Sequence, residues 1–557
     1  MNNPIMSTYV PKLDFESYDD FVSNYKVNVP EDFNFGYDVV DHWANLEPNK
    51  LALRWCNDEF EVKEYTFSDA KELSDRAANA FVQAGIKKGD IVMLILKQRP
   101  EAWWCITALC KIGAICIPGT YQLTKKDIVY RCNLANIKMI VTVDDAELVE
   151  KINQARPECP SLEVLASVGD HNVPGYINFR EAIANTSPEF VRVHNKVTEP
   201  NLIYFSSGTS GMPKMVLHDH SLAIGHIVTA HFWQKVQNNT VHMTQSDSGW
   251  AKFAWGKIYG QWICGAAIGA FDTEKFTPQT LLKAIQVLHP TTFCAPPTIY
   301  RYLIKEDLTG VDLSFVQHSG TAGEPLNPEV YNQIKQKTGM DLHEGFGQSE
   351  TSVLLANFGW DPIKPGSMGK PSPLYGIKLI AEDGSECENG VVGAICVTGT
   401  DKKHPTGLFK GYYLDEAITS ACWSDGVYST GDMAWRDDDG YYWFVGRNDD
   451  VIKCSGYRIG PFEVENALLE HPSVLECAVT ATPDPMRGQV VKATIVLAKG
   501  YEASDALVKA LQNHVKAVTA PYKYPRVIEF VEELPKTISG KIRRVQIRES
   551  EKGKVEQ

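Results

Sequence analysis

The stretch Tyr204-Phe-Ser-Ser-Gly-Thr-Ser-Gly-Met-Pro-Lys214 gathers small residues, hydroxyls and a cation at close spacing. Small residues let the backbone turn tightly and present its N–H groups to an anion. Ser206, Ser207, Thr209 and Ser210 add hydroxyl donors, Gly208 and Gly211 the freedom to turn, and Lys214 an ammonium. This is equipment for binding phosphate. A Walker A loop needs GxxxxGK[ST]; here Gly208 and Gly211 stand three apart and Lys214 follows Met-Pro, so an ordinary P-loop NTPase is disfavoured. From the residues alone, a Ser/Gly surface loop is the competing reading.

The elements that must hold such a loop alternate in type. Residues 69–85 carry apolar and small residues at helical spacing, with Ser68 or Asp69 as cap. Asp90 to Leu96 reads as a buried strand and is followed by a helix through Trp103 and Trp104. Strand signals return at 138–143 and at Leu202 to Phe205, just before the loop. Alternation of this kind predicts a large α/β unit. After about residue 370 short strands and turns take over, as in IKLIAEDGSE with Asp383-Gly384 at its turn. Beyond strand 441–446 and the polar break Arg447-Asn448-Asp449-Asp450 come helix, two strands, helix and strand. They suffice for an α+β domain of about 105 residues. The predicted fold is therefore α/β: an N-terminal region of several subdomains with a small β-barrel-like part, residues 1–448, and a small mobile α+β domain, residues 449–557.

Composition narrows the function. The 557 residues hold 55 Lys and Arg against 69 Asp and Glu, a net charge of −14, which argues against a protein built to grip nucleic acid. Hydrophobic residues at 44% and charged residues at 22% are ordinary globular usage, so disorder and coiled coil are poor readings. The 13 cysteines form no CxxC pair and read as reduced, buried thiols; with an N-terminus lacking a secretory pattern, they lead us to expect a cytoplasmic protein. The apolar stretches Ala102–Pro118 and Trp250–Phe271 are broken by Lys111 and by Lys252 and Lys257. Neither offers the roughly 20 apolar residues of a membrane span.

SSGTSGMPK, GFGQSET (345–351), YSTGD (428–432), GRNDDVIKCSGYRIGPFEVE (446–465) and PKTISGK (535–541) together resemble the adenylate-forming enzymes. That superfamily includes acyl-CoA synthetases, adenylation domains of peptide synthetases and firefly luciferase. The resemblance runs from roughly residue 35 to 548. GYRIGPFEVENALLEHPSV and VTAPYKYPR make it most similar to medium-chain acyl-CoA synthetases.

The resemblance implies ATP, Mg²⁺ and coenzyme A as cofactors and a small carboxylate as substrate, with no nucleic acid, no membrane span, and a monomer or homodimer left open. It assigns Ser206 to Gly211 and Lys214 to the β- and γ-phosphates, Glu350 to Mg²⁺, and Ser349, where Thr is usual, to the α-phosphate region. Gly323-Glu324-Pro325 and Glu344-Gly345-Phe346 would sandwich adenine, with Phe346 stacking. Asp432 would accept both ribose hydroxyls, a task suited to a carboxylate, and Arg447 would be the second ribose contact. Taken alone, Asp432 could be a turn or cap residue. Lys541 would bridge substrate carboxylate and α-phosphate, Asp449 would be the hinge, and Gly456, Arg458 and Lys516 would meet coenzyme A.

In acetate-specific relatives a Trp stands where Gly347 does, so Gly347 implies room for a larger acyl group, unless the backbone itself requires glycine. Trp250, Phe253 and Trp255 would supply an aromatic wall, or else serve as core of an apolar helix. Lys252, if it points inward, would narrow the site toward short, branched or aromatic acids; His218 either borders the carboxylate or is structural. The expected reaction is AMP-forming acyl-CoA synthesis. Transfer of the acyl group to a carrier-protein thiol, or a non-catalytic nucleotide-binding module, are the alternatives.

Overall fold

The computed structural model describes residues 3–206, 212–454, 457–484, 487–536 and 542–555. Four sheets organise them. In the first large sheet the interior strands Leu342–Phe346, His318–Ala322, Thr292–Ala295, Val241–Thr244, Ala267–Phe271 and Leu51–Cys56 run parallel, with antiparallel strands added at both edges. The second has Met139–Val143, Ile91–Ile95, Ile115–Pro118 and Pro200–Ser206 in parallel, closed by Lys214–Asp219 running antiparallel. Ile91–Ile95 and Met139–Val143 are buried throughout, as strands covered on both faces must be.

The small β part is a five-stranded antiparallel sheet spanning residues 376–447, in which Val427–Arg436 pairs with Tyr442–Arg447. The fourth sheet, from Ile452 onward, packs the helices Pro461–Leu469 and Asp505–Val518 around its own apolar cluster. The chain is thus mixed α/β, with a large N-terminal region and a smaller C-terminal α+β domain.

Local chemistry explains where elements begin. The helix expected near residue 69 starts at Phe67, because Thr66 rather than Ser68 caps it. The Thr66 hydroxyl accepts from Asp69 N at 3.1 Å while the Asp69 carboxylate accepts from Thr66 N at 2.7 Å, a reciprocal capping box. The apolar stretch 250–271 becomes two short helices, Ala251–Gly256 and Tyr259–Ile263, and the buried strand Ala267–Phe271. Among the described residues no helix is long and apolar enough to cross a membrane.

Lys111, which interrupts the other apolar stretch, is fully buried and donates to Asp41 at 2.7 Å and Asp75 at 2.6 Å. It ties helix Glu101–Ile112 to helix Phe67–Gln83 and to the turn ending at Asp41. Burial pushes the Asp41 carboxyl up to about 6, against the pull of Lys111. Removing the cation strands Asp41 and leaves Asp75 with Lys71 alone, at 2.7 Å, so Lys111→Met should cost about 3–5 kcal/mol near neutral pH. A carboxyl whose folded value is raised binds protons more tightly in the fold, so stability falls as pH rises toward 6. Without Lys111 that fall steepens. Urea unfolding should therefore show a smaller deficit at pH 5 than at pH 7.5; a deficit indifferent to pH would contradict the assignment.

Candidate active site

A cavity of about 1040 Å³ lies where the parallel strands His318–Ala322 and Leu342–Phe346 end, facing the C-terminal domain. Crevices beyond the carboxyl ends of parallel strands are where open α/β sheets bind ligands. Ser206, Lys214, Gly323, Glu324, Pro325, Glu344, Gly345, Phe346, Gly347, Ser349, Glu350, Asp432 and Arg447 all border it. Residues drawn from four separate sequence motifs thus meet in one space. Ser207, Gly208, Thr209, Ser210, Gly211, Gly456 and Lys541 lie outside the described residues. Lys536 and Ile542, which bound the segment holding Lys541, pair as an antiparallel bridge and both border the cavity.

At one end Glu324 accepts from Thr298 N at 2.8 Å and from Arg301 at 3.2 Å. Burial pushes its carboxyl up, but Arg301 and Thr298 outweigh that and leave it below the ordinary value. Glu344 is the opposite case. Among the described residues its Oε1 accepts only from Leu326 N at 3.2 Å and its buried Oε2 has no partner, and burial raises its carboxyl to about 8. It is therefore a neutral acid at pH 7, able to offer a donor and an acceptor side by side. Gly345 has a packing reason: an added Cβ would overlap the Trp233 ring. Phe346 is half-buried, with its ring 6.3 Å from that of Phe444.

Asp432 and Arg447 are cross-strand partners, with Arg447 Nε 3.7 Å from Asp432 Oδ1 and 3.9 Å from Asp449 Oδ1. Gln348, which the sequence reading passed over, donates to Asp432 Oδ2 at 2.6 Å and to Thr430 O at 2.8 Å, and accepts from the Tyr428 hydroxyl at 2.9 Å. Its place inside GFGQSET was the available signal. Nearby, the Tyr412 hydroxyl donates to Glu350 Oε1 at 2.8 Å. His218 is buried and donates Nε2–H to the Ser349 carbonyl at 2.7 Å; burial lowers it to about 4, so it is a neutral residue that holds Ser349 in place.

The aromatic wall divides. Phe253 is buried in the core with its ring 5.2 Å from Trp103, and Trp250 is half-buried before helix Ala251–Gly256. Trp255 lies against Gly347 so closely that an added Cβ would overlap its ring. The room inferred from Gly347 is therefore occupied by Trp255, which stands edge-on to Trp233 at 6.1 Å. Lys252 donates its ammonium to the Ala322 carbonyl, beside Gly323, and is not among the residues that border the cavity. On the C-terminal domain, Lys516 Nζ lies 4.0 Å over the Tyr524 ring, and Tyr457 stacks on Tyr522 at 4.1 Å. Lys516 does not border the cavity, and the Arg458 side chain lies outside the described residues. The alternation of aromatic and basic residues in PYKYPR was the sequence trace of this cluster.

Comparison with known proteins gives a consistent picture. The "AMP-binding enzyme" family profile matches residues 40–413, and the "AMP-binding enzyme C-terminal domain" profile matches 463–541. The mouse protein (Mus musculus) named "Acyl-coenzyme A synthetase ACSM3, mitochondrial" is 41% identical over 96% of this chain and 94% of its own length. Its rat counterpart (Rattus norvegicus) is 42% identical over 98% of this chain and 95% of its own. Among solved structures, an acyl-CoA synthetase of Brucella canis superposes with a TM-score of 0.73 at 31% identity, covering 97% of this chain and 100% of that one. The anthranilate CoA ligase AuaEII, bound to anthranoyl-AMP, gives 0.86 at 26% identity, covering 95% and 99%. These names correct the cytoplasmic placement expected from the sequence, since the curated relatives are named mitochondrial. The thirteen cysteines are indeed unpaired, but free thiols report a redox state and carry no address.

The buried acid gives a prediction. Between the unfolded carboxyl value and about 8, the folded state keeps a proton on Glu344 that the unfolded chain has lost, so the residue subtracts stability as pH rises through that window. Glu344→Gln, which cannot ionise, should melt about 2–4 °C higher than wild type at pH 8 and no higher at pH 5. Equal melting temperatures at pH 8 would show that Glu344 is ionised in the fold.

Proposed function

The chain belongs to the AMP-binding enzymes as an AMP-forming acyl-CoA synthetase, and on that premise we propose that it activates short to medium, branched or aromatic monocarboxylates. The substrates are ATP, the acid and coenzyme A, with Mg²⁺ as cofactor; the products are acyl-CoA, AMP and pyrophosphate. The observation that carries our assignment of residues is the convergence of separate motifs on the one cavity at the carboxyl ends of the parallel strands.

A carboxylate resists attack by a thiol because its leaving oxygen would be oxide. Joining it to the α-phosphate of ATP turns that oxygen into a good leaving group. The protein's share is positioning and charge neutralisation. In our reading Lys214 and the loop 206–211 receive the β- and γ-phosphates, Phe346 stacks on adenine, and neutral Glu344 faces its edge. Asp432, aligned by Gln348, accepts the ribose hydroxyls. Lys541 bridges the acid and the α-phosphate as charge develops.

Among the described residues no group of three or more His, Cys, Asp or Glu side chains forms a metal cage. Glu350 borders the same cavity as Lys214 and Ser206, which suits Mg²⁺, an ion commonly held by one or two carboxylates together with substrate phosphates. When bound there, the ion neutralises phosphate charge.

The acyl group would lie between Lys252 and Trp255. The ammonium on the Ala322 carbonyl and the indole against Gly347 would both shorten the space, which is why we favour branched or aromatic acids over long chains. Residues 449–557 would rotate about Asp449 between the two half-reactions, bringing Gly456, Arg458 and Lys516 to coenzyme A. Hinges of this kind use a few residues at the ends of elements. Asp449 follows directly on the ribbon strand Tyr442–Arg447 and its neighbour Asn448, and Asp450 is held by Arg548 of the last helix.

Lys541→Ala should cut acid-dependent pyrophosphate release by roughly 100-fold or more. It should leave thioester formation from supplied acyl-adenylate and coenzyme A within about threefold of wild type; equal loss in both half-reactions would remove Lys541 from its role. Asp449→Pro should do the reverse, sparing pyrophosphate release and lowering thioester formation, as followed by rapid quench.

A further inference from the structure

Tyr412 belongs to none of the motifs that mark the site, yet it touches two residues that do. Its hydroxyl donates to Glu350 Oε1 at 2.8 Å, and Lys214 Nζ lies 4.9 Å over the centre of its ring. The side chain borders the cavity, while the residue as a whole is 9% exposed.

The backbone around Tyr412 is firmly placed. Lys410 N donates to Leu217 O at 2.7 Å, Leu217 N to Gly411 O at 3.1 Å, and Tyr413 N to Met215 O at 2.8 Å. The segment thus lies along the strand Lys214–Asp219, whose first residue is the phosphate lysine. Tyr412 N donates to Thr419 Oγ1 at 2.9 Å, and the ring is flanked by Phe409 at 5.1 Å. Phe409 N donates to the Glu350 carbonyl at 2.8 Å, so one short segment fixes both the backbone and the carboxylate of Glu350. The chain then turns at Leu414, which is 69% exposed and held at φ +57°, a conformation a leucine rarely adopts.

Lys214 and Glu350 carry opposite charges on one wall of the cavity. Among the described residues they form no ion pair with each other. Tyr412 satisfies both without letting them meet. The negative face of the ring receives the ammonium, and the hydroxyl fixes one oxygen of the carboxylate.

We propose that Tyr412 is a positioning residue that keeps the phosphate lysine and the metal-binding carboxylate apart and orients Glu350 for Mg²⁺. The inference rests on the reading of Glu350 as the magnesium ligand. With the hydroxyl gone, Glu350 is free to swing and its grip on the metal weakens. With the ring gone, Lys214 can close on Glu350, and ATP loses a cation even when no metal is present.

The test measures ATP binding by calorimetry on the full-length protein without acid or coenzyme A, once in EDTA and once in saturating Mg²⁺. The readout is the factor by which Mg²⁺ tightens ATP. Tyr412→Phe should lower that factor roughly tenfold, the scale of one hydrogen bond to a charged group. Its EDTA value should stay within about twofold of wild type, because the ring remains for Lys214. Tyr412→Leu should weaken ATP at least about fivefold in EDTA as well. Glu350→Gln separates the two claims. If it lowers the Mg²⁺ factor and Tyr412→Phe does not, Tyr412 has no orienting role. If Glu350→Gln leaves the factor unchanged, the reading of Glu350 itself fails. Should Tyr412→Phe melt below wild type, the double variant with Glu350→Gln decides: a Mg²⁺ factor equal to that of Glu350→Gln alone upholds the coupling, and a further loss overturns it.

Discussion

The pairing of Asp432 with Arg447 across an antiparallel ribbon is the contact on which the nucleotide end of the molecule depends. Asp432 is 4% exposed, and a carboxylate so buried needs partners that hold its charge. Arg447 and Gln348 supply them, and Gln348 is braced in turn by Tyr428. Two residues past Arg447 lies Asp449, 3.9 Å from the same guanidinium. The ribbon therefore sets Asp432 on the cavity at one point and leads on to the C-terminal α+β domain at the next.

Charge raises a second constraint. A chain of net charge −14 has to hold ATP and coenzyme A, both polyanions. Bulk charge governs solubility and long-range encounter, whereas the site works at contact distance. At the cavity, cations are placed one at a time: Lys214 over an aromatic ring and Arg447 between two carboxylates, with Lys252 held on the backbone carbonyl of Ala322 behind it. In the proposed reading, Glu344, kept protonated by burial, would give adenine no negative neighbour. Local geometry overrides the composition.

Much of this was legible in the sequence. The alternating strands and helices and the change of texture after residue 370 follow from periodicity, and the phosphate loop from its small residues, hydroxyls and lysine; the other nucleotide motifs were legible only through resemblance to the adenylate-forming enzymes. The failures have physical causes. The cap at Thr66 was missed because capping depends on a side chain bonding three residues ahead, and several hydroxyls there compete for the part. Gly347 suggested open space because a sequence records what is absent at a position, while the Trp255 ring that fills it comes from a helix some ninety residues earlier. Phe253 and Trp255 lie two apart on one short helix, so only the fold could send one to the core and the other to Gly347. Gln348 and Tyr412 act through residues distant in the chain, Asp432 and Glu350, and such pairings leave no local pattern.

The central claim is an AMP-forming acyl-CoA synthetase with a short, partly polar acyl pocket. Its most direct test is acid-dependent pyrophosphate release, with and without coenzyme A, across straight acids from acetate to decanoate together with isobutyrate, 2-methylbutyrate, benzoate and cyclohexanecarboxylate. The account predicts the highest kcat/KM among the branched or cyclic acids, a steep fall toward decanoate, and turnover that requires free coenzyme A. A preference for acetate, or activity that rises with chain length to decanoate, would contradict the acyl pocket proposed between Lys252 and Trp255.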